Sequence, residues 1–545
     1  MKATIALISI ILAVESSGMG CGGTGNGGSR MMGIGGATGA GGRPLSCGPG
    51  QALCAGRCET ILLEDGRCGP GTCAVACPGA QHCTDGICRA SKIEHVVLIV
   101  QENHSFETYF GMYCQAQAGA SPTCTTGPAC CEGAPYDPSS LLYVEPHGAN
   151  ALALNDDPSN DASNFSHDRD HGQACELLQI DHGAMDRFVT GTTGSSETCF
   201  GVGPNCSDPR NWVLADGTKA TDAVNYYWAI AAGNALADRY FQPIAGGTAS
   251  NNMFFAGAAF RFIDNARMPD VVVGTRSGGG LCADPIDCLE STRVRPPYAL
   301  PTIADLLLDS GSTFGIYADG YNDAYTAATI PQCPTASTSC PYRDCLTHPI
   351  ACNGCLYDPS DIPFLYYQGF ADTPVAGGLA PTPYEKDYAA LQIDVSSGQL
   401  PAFAFVKARL FHNEHPNVST ISDGIKFVTG AIDAIEKSMY AKNTLVLVTW
   451  DEGGGFFDHV APPASIDTDD NGKPVPYGTR VPLIAVGPFA KKGTVSHVPM
   501  EHSSVVRFLE YVFLGPVGQL GHNDLKVKNI GSLLDPNATG IPIPD

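Results

Sequence analysis

Two short polar pairs stand at the ends of strongly apolar runs, and together they offer hard oxygen donors. Glu102-Asn103 follows the run Ile93 to Val100 through Gln101, and Asp451-Glu452 follows Thr444 to Trp450 directly. Three carboxylates and an amide oxygen suit a divalent cation that prefers oxygen ligands. Asp, Asn and Gly also cap helices and make turns, which accounts for one such pair more readily than for two. A third feature is the glycine turn Ala245-Gly246-Gly247-Thr248-Ala249-Ser250-Asn251-Asn252, ahead of the apolar stretch Met253 to Phe260. Amide groups at a helix start receive phosphate oxygens, so a hydroxyl there, of Thr248 or of Ser250, stands beside the bound anion as a candidate nucleophile. Histidines beside acids in polar loops (His167 and His171, His412 and His415, then His459) are candidates for stabilising charge and moving a proton. His412 and His415 lack the H-E-x-x-H spacing of a zinc-binding helix.

The elements that must hold these residues follow from the hydrophobic pattern. Unbroken β-branched runs alternate with helix-like stretches at Ala223–Leu236, Ile425–Lys442 and Ser503–Phe513. This predicts an α/β fold whose mostly parallel sheet is covered on both faces. Ligands of such sheets collect beyond the carboxyl ends of the strands, which is where both acidic pairs fall. With 43% hydrophobic residues the 545-residue chain fills a large core, while 63 Gly and 40 Pro imply a loop-rich surface. Thirty-one Lys and Arg against 55 Asp and Glu give a formal charge of −24. Without basic clusters, this excludes charge-driven binding to nucleic acid or to an anionic membrane.

The start of the chain reads as an address. Residues 1–21 carry Lys2 and an apolar run to Val14, shorter than the roughly 20 residues a span needs, and so resemble an export signal. Cys21, after Gly18-Met19-Gly20, resembles a lipoprotein processing site, and a lipid there tethers the protein to the membrane of the cell envelope. It also leaves an even number of the 23 cysteines to pair. The other reading is an ordinary cleaved signal and a secreted product. Residues 22–46 form a Gly-rich linker. Residues 47–90 hold eight Cys and read as a small disulfide-rich module, with zinc on Cys73 and Cys77 as the competing reading. Residues 92–545 form one large block, interrupted by Cys-rich insertions at 114–131 and 333–355 that read as disulfide-pinned loops. In the second of these, Cys340, Cys345, Cys352 and Cys355 are a lesser zinc candidate.

The strings IEHVVLIVQENHSFETYFG (93–111), GGTASNN (246–252), NEHP (413–416), TWDEGGGFFDHVAPP (449–463), GTRVPLIAVGPFAKKG (478–493) and EHSSVVRFLE (501–510) resemble the phosphoesterase family. That family contains bacterial phospholipases C and an acid phosphatase. The resemblance covers most of 92–530 and implies an alkaline-phosphatase-like α/β/α sandwich that cleaves phosphate esters with one divalent metal ion. Carried over by motif, Glu102, Asn103, Thr248, Asp451 and Glu452 bind the metal, and Thr248 rather than Ser250 is the nucleophile. Asn103 and His167 bind substrate. His171 matches the first motif histidine, with His167 as its alternate, and His415 and His459 match the later ones. Ser250-Asn251-Asn252 departs from the Pro and Asn-Arg of the phospholipase-like members, and no C-terminal β domains follow the EHSS motif. Both departures favour an acid-phosphatase-like enzyme working through phosphothreonine. A phospholipase C-type phosphodiesterase and a non-catalytic surface binding protein are the alternatives.

Overall fold

Val96 to Val100 and Leu445 to Val448 are apolar without a break, and both become strands buried on both faces. The computed structural model describes the backbone of residues 51–545 outside 55–56, 63–66, 71–74, 78, 85–86, 158–159, 161–162, 165–167, 192–205, 220–222, 272–292, 323–356 and 376–377. The export segment, Cys21, the Gly-rich stretch, His167 and the Cys340 to Cys355 cluster lie outside the described residues.

The central sheet has eight strands: β1 (His95–Gln101), β2 (Ala235–Ala237), β3 (Phe314–Ala318), β4 (Glu385–Asp387), β5 (Phe403–Lys407), β6 (Thr444–Trp450), β7 (Leu483–Val486) and β8 (Thr494–Ser496). Their spatial order is β4-β3-β5-β1-β6-β7-β2-β8. β1 is parallel to β5 on one side and to β6 on the other, and only β7 runs against its neighbours. The sheet is thus mostly parallel, as the unbroken apolar runs require. In the β1–β6 ladder Gln101 lies opposite Trp450, so Glu102 and Asp451 leave adjacent strands at the same level.

The helices that bear on the site are α1 (Phe106–Phe110), α2 (Gln173–Ile180), α3 (Asn225–Gly233), α4 (Thr248–Gly257), α5 (Ile421–Glu436) and α6 (His502–Leu509). Ile421, Ile425, Val428, Ile432 and Ile435 recur every three or four residues along α5 and are buried, while Thr420 caps its start by accepting from the Asp423 amide. The stretch read as one helix from Ala223 to Leu236 divides. Asn234 leaves the helical region after Gly233, and Ala235–Ala237 become β2, with Leu236 paired to Ile484 and Val495. The stretch from Ile425 likewise begins earlier, at the Thr420 cap, and its end forms a separate short turn, Met439–Lys442, capped by Ser438. The 114–131 insertion is pinned by Cys114–Cys131 and Cys124–Cys130, and Cys175–Cys206 anchors α2.

Ahead of the large block, Gln51–Cys54, Arg57–Leu62, Arg67–Pro70 and Val75–Ala76 form a small antiparallel sheet, and Cys77 pairs with Cys88. His82 stacks on Tyr511 with ring centroids 3.8 Å apart and places Nε2 2.7 Å from the Tyr511 carbonyl oxygen, fastening this segment to the block. Among the described residues no helix is long and apolar enough to cross a membrane.

Candidate active site

The site is assembled at the carboxyl ends of β1, β5 and β6, where three strands deliver polar residues into a buried space. Asn103 takes a left-handed backbone conformation, φ +57°, which Asn tolerates better than most residues. Its amide donates to Asp451 Oδ1 at 3.4 Å, tying the end of β1 to the end of β6. Gly454, at φ +64°, lies against it so closely that a Cβ would stand 2.2 Å from the Asn103 carbonyl oxygen. The glycines after Asp451-Glu452 are therefore a steric requirement of this junction.

The turn into α4 supplies the hydroxyl. Gly246 has φ +130° and Gly247 is extended, so the helix begins at Thr248 itself, ahead of the apolar stretch. Three amides of this turn are already engaged. Gly246 donates to Glu176 Oε2 at 2.6 Å, Gly247 to Asp264 Oδ1 at 3.0 Å and Ala249 to Asn265 Oδ1 at 2.9 Å. They brace the turn rather than stand open as an anion cradle, which corrects the expectation drawn from the glycine pattern. Ser250 Oγ donates back to the Gly247 carbonyl at 2.8 Å. Thr248 Oγ1, in contrast, donates to Asn103 Oδ1 at 3.3 Å, and the Asn103 amide reaches the Asp451 carboxylate.

Around this hydroxyl the described residues bring together most of the candidates. His171 Nε2 is 3.4 Å from Asn103 Nδ2 and 3.8 Å from Glu452 Oε1, and its Nδ1 is held by the Arg169 carbonyl at 2.7 Å. This geometry makes Nδ1 the donor and Nε2 the acceptor, because Nδ1 faces a carbonyl and Nε2 an amide NH2 group. His415 stands edge-on to His171 with centroids 5.9 Å apart, its Nδ1 directed to the Pro416 carbonyl at 2.7 Å. Burial pushes the His415 imidazole down to about 4, so it is neutral near pH 7.

The carboxylates respond to burial in opposite ways. Burial pushes Asp451 up to about 7 against the pull of Lys407, and it raises Glu452 well above the usual range, with His171 opposing. Burial also works to raise Glu102, but the Lys407 ammonium 2.6 Å from Oε1, together with a hydrogen bond from Asp361, holds it down at about 2. Asp451 Oδ2 and Glu452 Oε1 are buried without an aligned hydrogen bond. Buried carboxylate oxygens left in this state call for positive charge, and hard oxygen donors of this kind fit a divalent cation. Glu102, Asn103, Thr248, Asp451 and Glu452 thus offer oxygen donors of a suitable chemical type, with the carboxylates of Glu102, Asp451 and Glu452 standing further apart than a bound ion would draw them.

His459 stands apart. Its Nδ1 is 2.5 Å from Glu107 Oε2 and its Nε2 3.0 Å from Glu132 Oε1, and Arg480 pairs with the neighbouring Asp458 at 3.0 Å. Both ring nitrogens are engaged by carboxylates in this separate charge cluster, which ties α1 to the segment after β6. His412 pairs with Asp319 at 2.6 Å and is half-exposed.

Three residues of the site escaped the sequence reading. Lys407 closes β5 in the same way that the acidic pairs close β1 and β6, and that shared position was its signal. Asp361, 3.7 Å from Lys407 Nζ, comes from a short turn that carries no motif. His502, in the EHSS string, places Nε2 2.6 Å from the Asp451 carbonyl oxygen and Nδ1 2.9 Å from the Tyr240 hydroxyl, and it stacks on Phe255 of α4. It thereby fixes Asp451 against the helix that carries Thr248.

The arrangement is a mostly parallel α/β sheet with acidic residues at two adjacent strand ends and a hydroxyl at a helix start. Residues 93–514 match the model of the phosphoesterase family, and the chain belongs to that family. It is similar to a non-hemolytic phospholipase C of Pseudomonas aeruginosa, 23% identical over 455 residues, which cover 77% of this chain and 54% of the relative. With phospholipase C B of Mycobacterium tuberculosis it shares 24% identity over 470 residues, covering 82% and 76%. A shorter match, 31% over 155 residues, joins it to non-specific phospholipase C6 of Arabidopsis thaliana, covering 24% and 30%. The chain thus spans about half the length of the Pseudomonas relative. Among solved structures it is similar to a protein in the alkaline phosphatase superfamily from Vibrio parahaemolyticus, with 11% identity, 55% and 63% coverage and a TM-score of 0.27. It is also similar to a phosphonate monoester hydrolase from Silicibacter pomeroyi, with 14% identity, 59% and 72% coverage and a TM-score of 0.27.

Proposed function

We propose that this protein hydrolyses phosphate esters, using one divalent metal ion and Thr248 as nucleophile. The observation that carries the reading is the hydrogen bond from the Thr248 hydroxyl to Asn103 Oδ1, with the Asn103 amide in turn donating to Asp451 at the neighbouring strand end, in a chain of the phosphoesterase family. Glu102, Asn103, Thr248, Asp451 and Glu452 would hold the ion, which supplies positive charge that eases ionisation of the hydroxyl and offsets charge on the phosphoryl oxygens.

The chain's own residues account for the remaining steps. Thr248 Oγ1 gives up its proton and attacks phosphorus in line with the ester bond, which breaks as the new O–P bond forms. The Asn103 amide group steadies an equatorial oxygen. His171 or His415 takes up the proton that Thr248 loses and passes it to the departing alkoxide, and water then cleaves the phosphothreonine, restoring the hydroxyl. The products are an alcohol and phosphate from a monoester, or an alcohol and a phosphomonoester from a diester. His459 lies in the charge cluster that positions the segment after β6, and His167 remains a candidate for binding substrate.

Ser250-Asn251-Asn252 favours a monoesterase of the acid-phosphatase kind. The second reading, a phospholipase C-type phosphodiesterase, is favoured by the names of the relatives. A non-catalytic binding protein is the third, and it predicts no turnover. A hydrolysis panel of a chromogenic phosphomonoester beside a phosphatidylcholine analogue, with and without chelator, separates them. Absence of turnover on both substrates with metal supplied defeats the proposal. Domain limits at 47–90 and 92–545, export through residues 1–21 and a lipid on Cys21 belong to the same reading, and the disulfides of the described residues are consistent with an oxidising compartment.

A further inference from the structure

Glu414 is fully buried, stands at a left-handed backbone position with φ +73°, and has no place in the reaction sketched above. Four neutral donors from four elements converge on its carboxylate. The Tyr227 hydroxyl of α3 and Gln101 Nε2, 3.2 Å away at the end of β1, donate to Oε1. The Tyr109 hydroxyl of α1 at 2.6 Å and Trp450 Nε1 of β6 at 3.1 Å donate to Oε2. A fifth element makes room for it: a Cβ on Gly424, inside α5, would stand 2.1 Å from Glu414 Cγ. Glycine weakens a helix interior, and here the space it leaves is taken by this side chain. Burial pushes the Glu414 carboxyl up, to about 7, and the four donors limit that rise. The main chain is fixed as well. Ser419 Oγ accepts from the Glu414 amide at 3.1 Å, Asn164 Nδ2 donates to the Glu414 carbonyl at 2.8 Å, and the Asn413 carbonyl accepts from the Glu102 amide at 2.7 Å.

Gln101 and Trp450 are the last residues of β1 and β6, lie opposite each other in the ladder, and each directly precedes an acidic pair. The ladder sets the distance between the strands, while one carboxylate that accepts from both side chains fixes how their last residues are turned. We propose that Glu414 is a positioning residue of this site: it holds the strand ends so that Glu102 and Asp451 leave them in matched directions, and its backbone turn sets His415 edge-on to His171. The inference rests on the metal-dependent reading above and adds to it a residue that acts through its neighbours. A carboxylate suits the role because each oxygen accepts two bonds, whereas an amide of the same size replaces one oxygen with a donor. A tyrosine hydroxyl can rotate to accept from that donor. Trp450 cannot, and Gln101 can only by turning its own donor away from the His412 carbonyl, so one strand end changes its anchorage.

The test compares the purified full chain with Glu414→Gln and with Gln101→Met, which breaks the same anchorage from the strand side. Mn2+ affinity is measured by calorimetry, kcat and KM on a chromogenic phosphate ester, and the melting temperature by circular dichroism. Both folded variants are expected to bind Mn2+ about tenfold more weakly or worse and to lose about tenfold or more in kcat, with KM held within about threefold. If Glu414→Gln does not fold, Gln101→Met decides. Unchanged Mn2+ affinity in a folded variant, with or without a lower melting temperature, is the signature of a merely structural role and overturns the inference. Wild type that binds Mn2+ without hydrolysing a phosphate ester defeats the proposed function, and the affinity comparison still decides this inference. Wild type with neither bound ion nor turnover overturns both.

Discussion

Thr248 Oγ1 donates to Asn103 Oδ1 at 3.3 Å although 145 residues separate them, and this contact joins the first strand of the sheet to the start of α4. It sets a hydroxyl among carboxylates and places no other described hydroxyl of that turn there, since Ser250 bonds to its own backbone.

Thr248→Ala is expected to lower turnover of a phosphate ester by at least about 10^3-fold while leaving the melting temperature within a few degrees. Thr248→Ser, which keeps the oxygen, is expected to retain measurable turnover, and Ser250→Ala to stay within about tenfold of wild type. Steady-state kinetics on the three variants check this. An active Thr248→Ala removes the nucleophile assignment.

Asp451→Asn removes one carboxylate charge from the cluster without changing its volume. Divalent-ion affinity, read by calorimetry, is expected to fall by at least about 10–100-fold, and turnover with it. Extra metal is expected to recover part of the loss. Unchanged affinity would show that the ion is held elsewhere.

Gly454→Ala places a methyl group 2.2 Å from the Asn103 carbonyl oxygen at a positive φ. A loss of at least about 1–3 kcal/mol is expected, with turnover reduced because Asn103 must move. Gly472→Ala is the control, since its φ is +75° but nothing lies within 4 Å of the added carbon. It should cost only about 1 kcal/mol and leave turnover unchanged.

His459 makes stability depend on pH. Burial alone would lower its pKa, but Glu107 and Glu132 raise it to about 9 in the folded protein. A group raised on folding contributes stability that is fully present below its unfolded value near 6.5 and is lost as pH rises through about 9. The contribution is on the order of 3 kcal/mol at low pH. Denaturant unfolding of wild type and His459→Gln should therefore show a gap at pH 6 that narrows toward pH 10. A gap that stays constant across that range contradicts the ion-pair account.

The sheet was legible because its central strands are unbroken apolar runs, and the acidic pairs were legible because they end those runs abruptly. What remained hidden depended on side-chain direction and on partners far along the chain. Turn geometry alone left Thr248 and Ser250 equal, and only the family motif separated them. The division of Ala223–Leu236 was masked because Ala235-Leu236-Ala237 is as compatible with a helix as with a strand, and pairing with Ile484 and Val495 decides the matter. His459 and His171 look alike in sequence, each beside an aspartate. Their settings differ through Glu107 and Glu132 in one case and Asn103 and Glu452 in the other.

Gln101 and Trp450 face each other across the ladder between β1 and β6, so backbone spacing of about 4.8 Å, rather than any loop, gauges the separation between the two acidic pairs. Such a ruler is indifferent to what happens at the rim. Surface segments, such as the one clamped by Cys114–Cys131 and Cys124–Cys130, can change in sequence while the spacing between the acidic pairs stays as the sheet sets it. The distance between the acidic pairs is thereby a property of the sheet, insulated from variation in the loops that surround it.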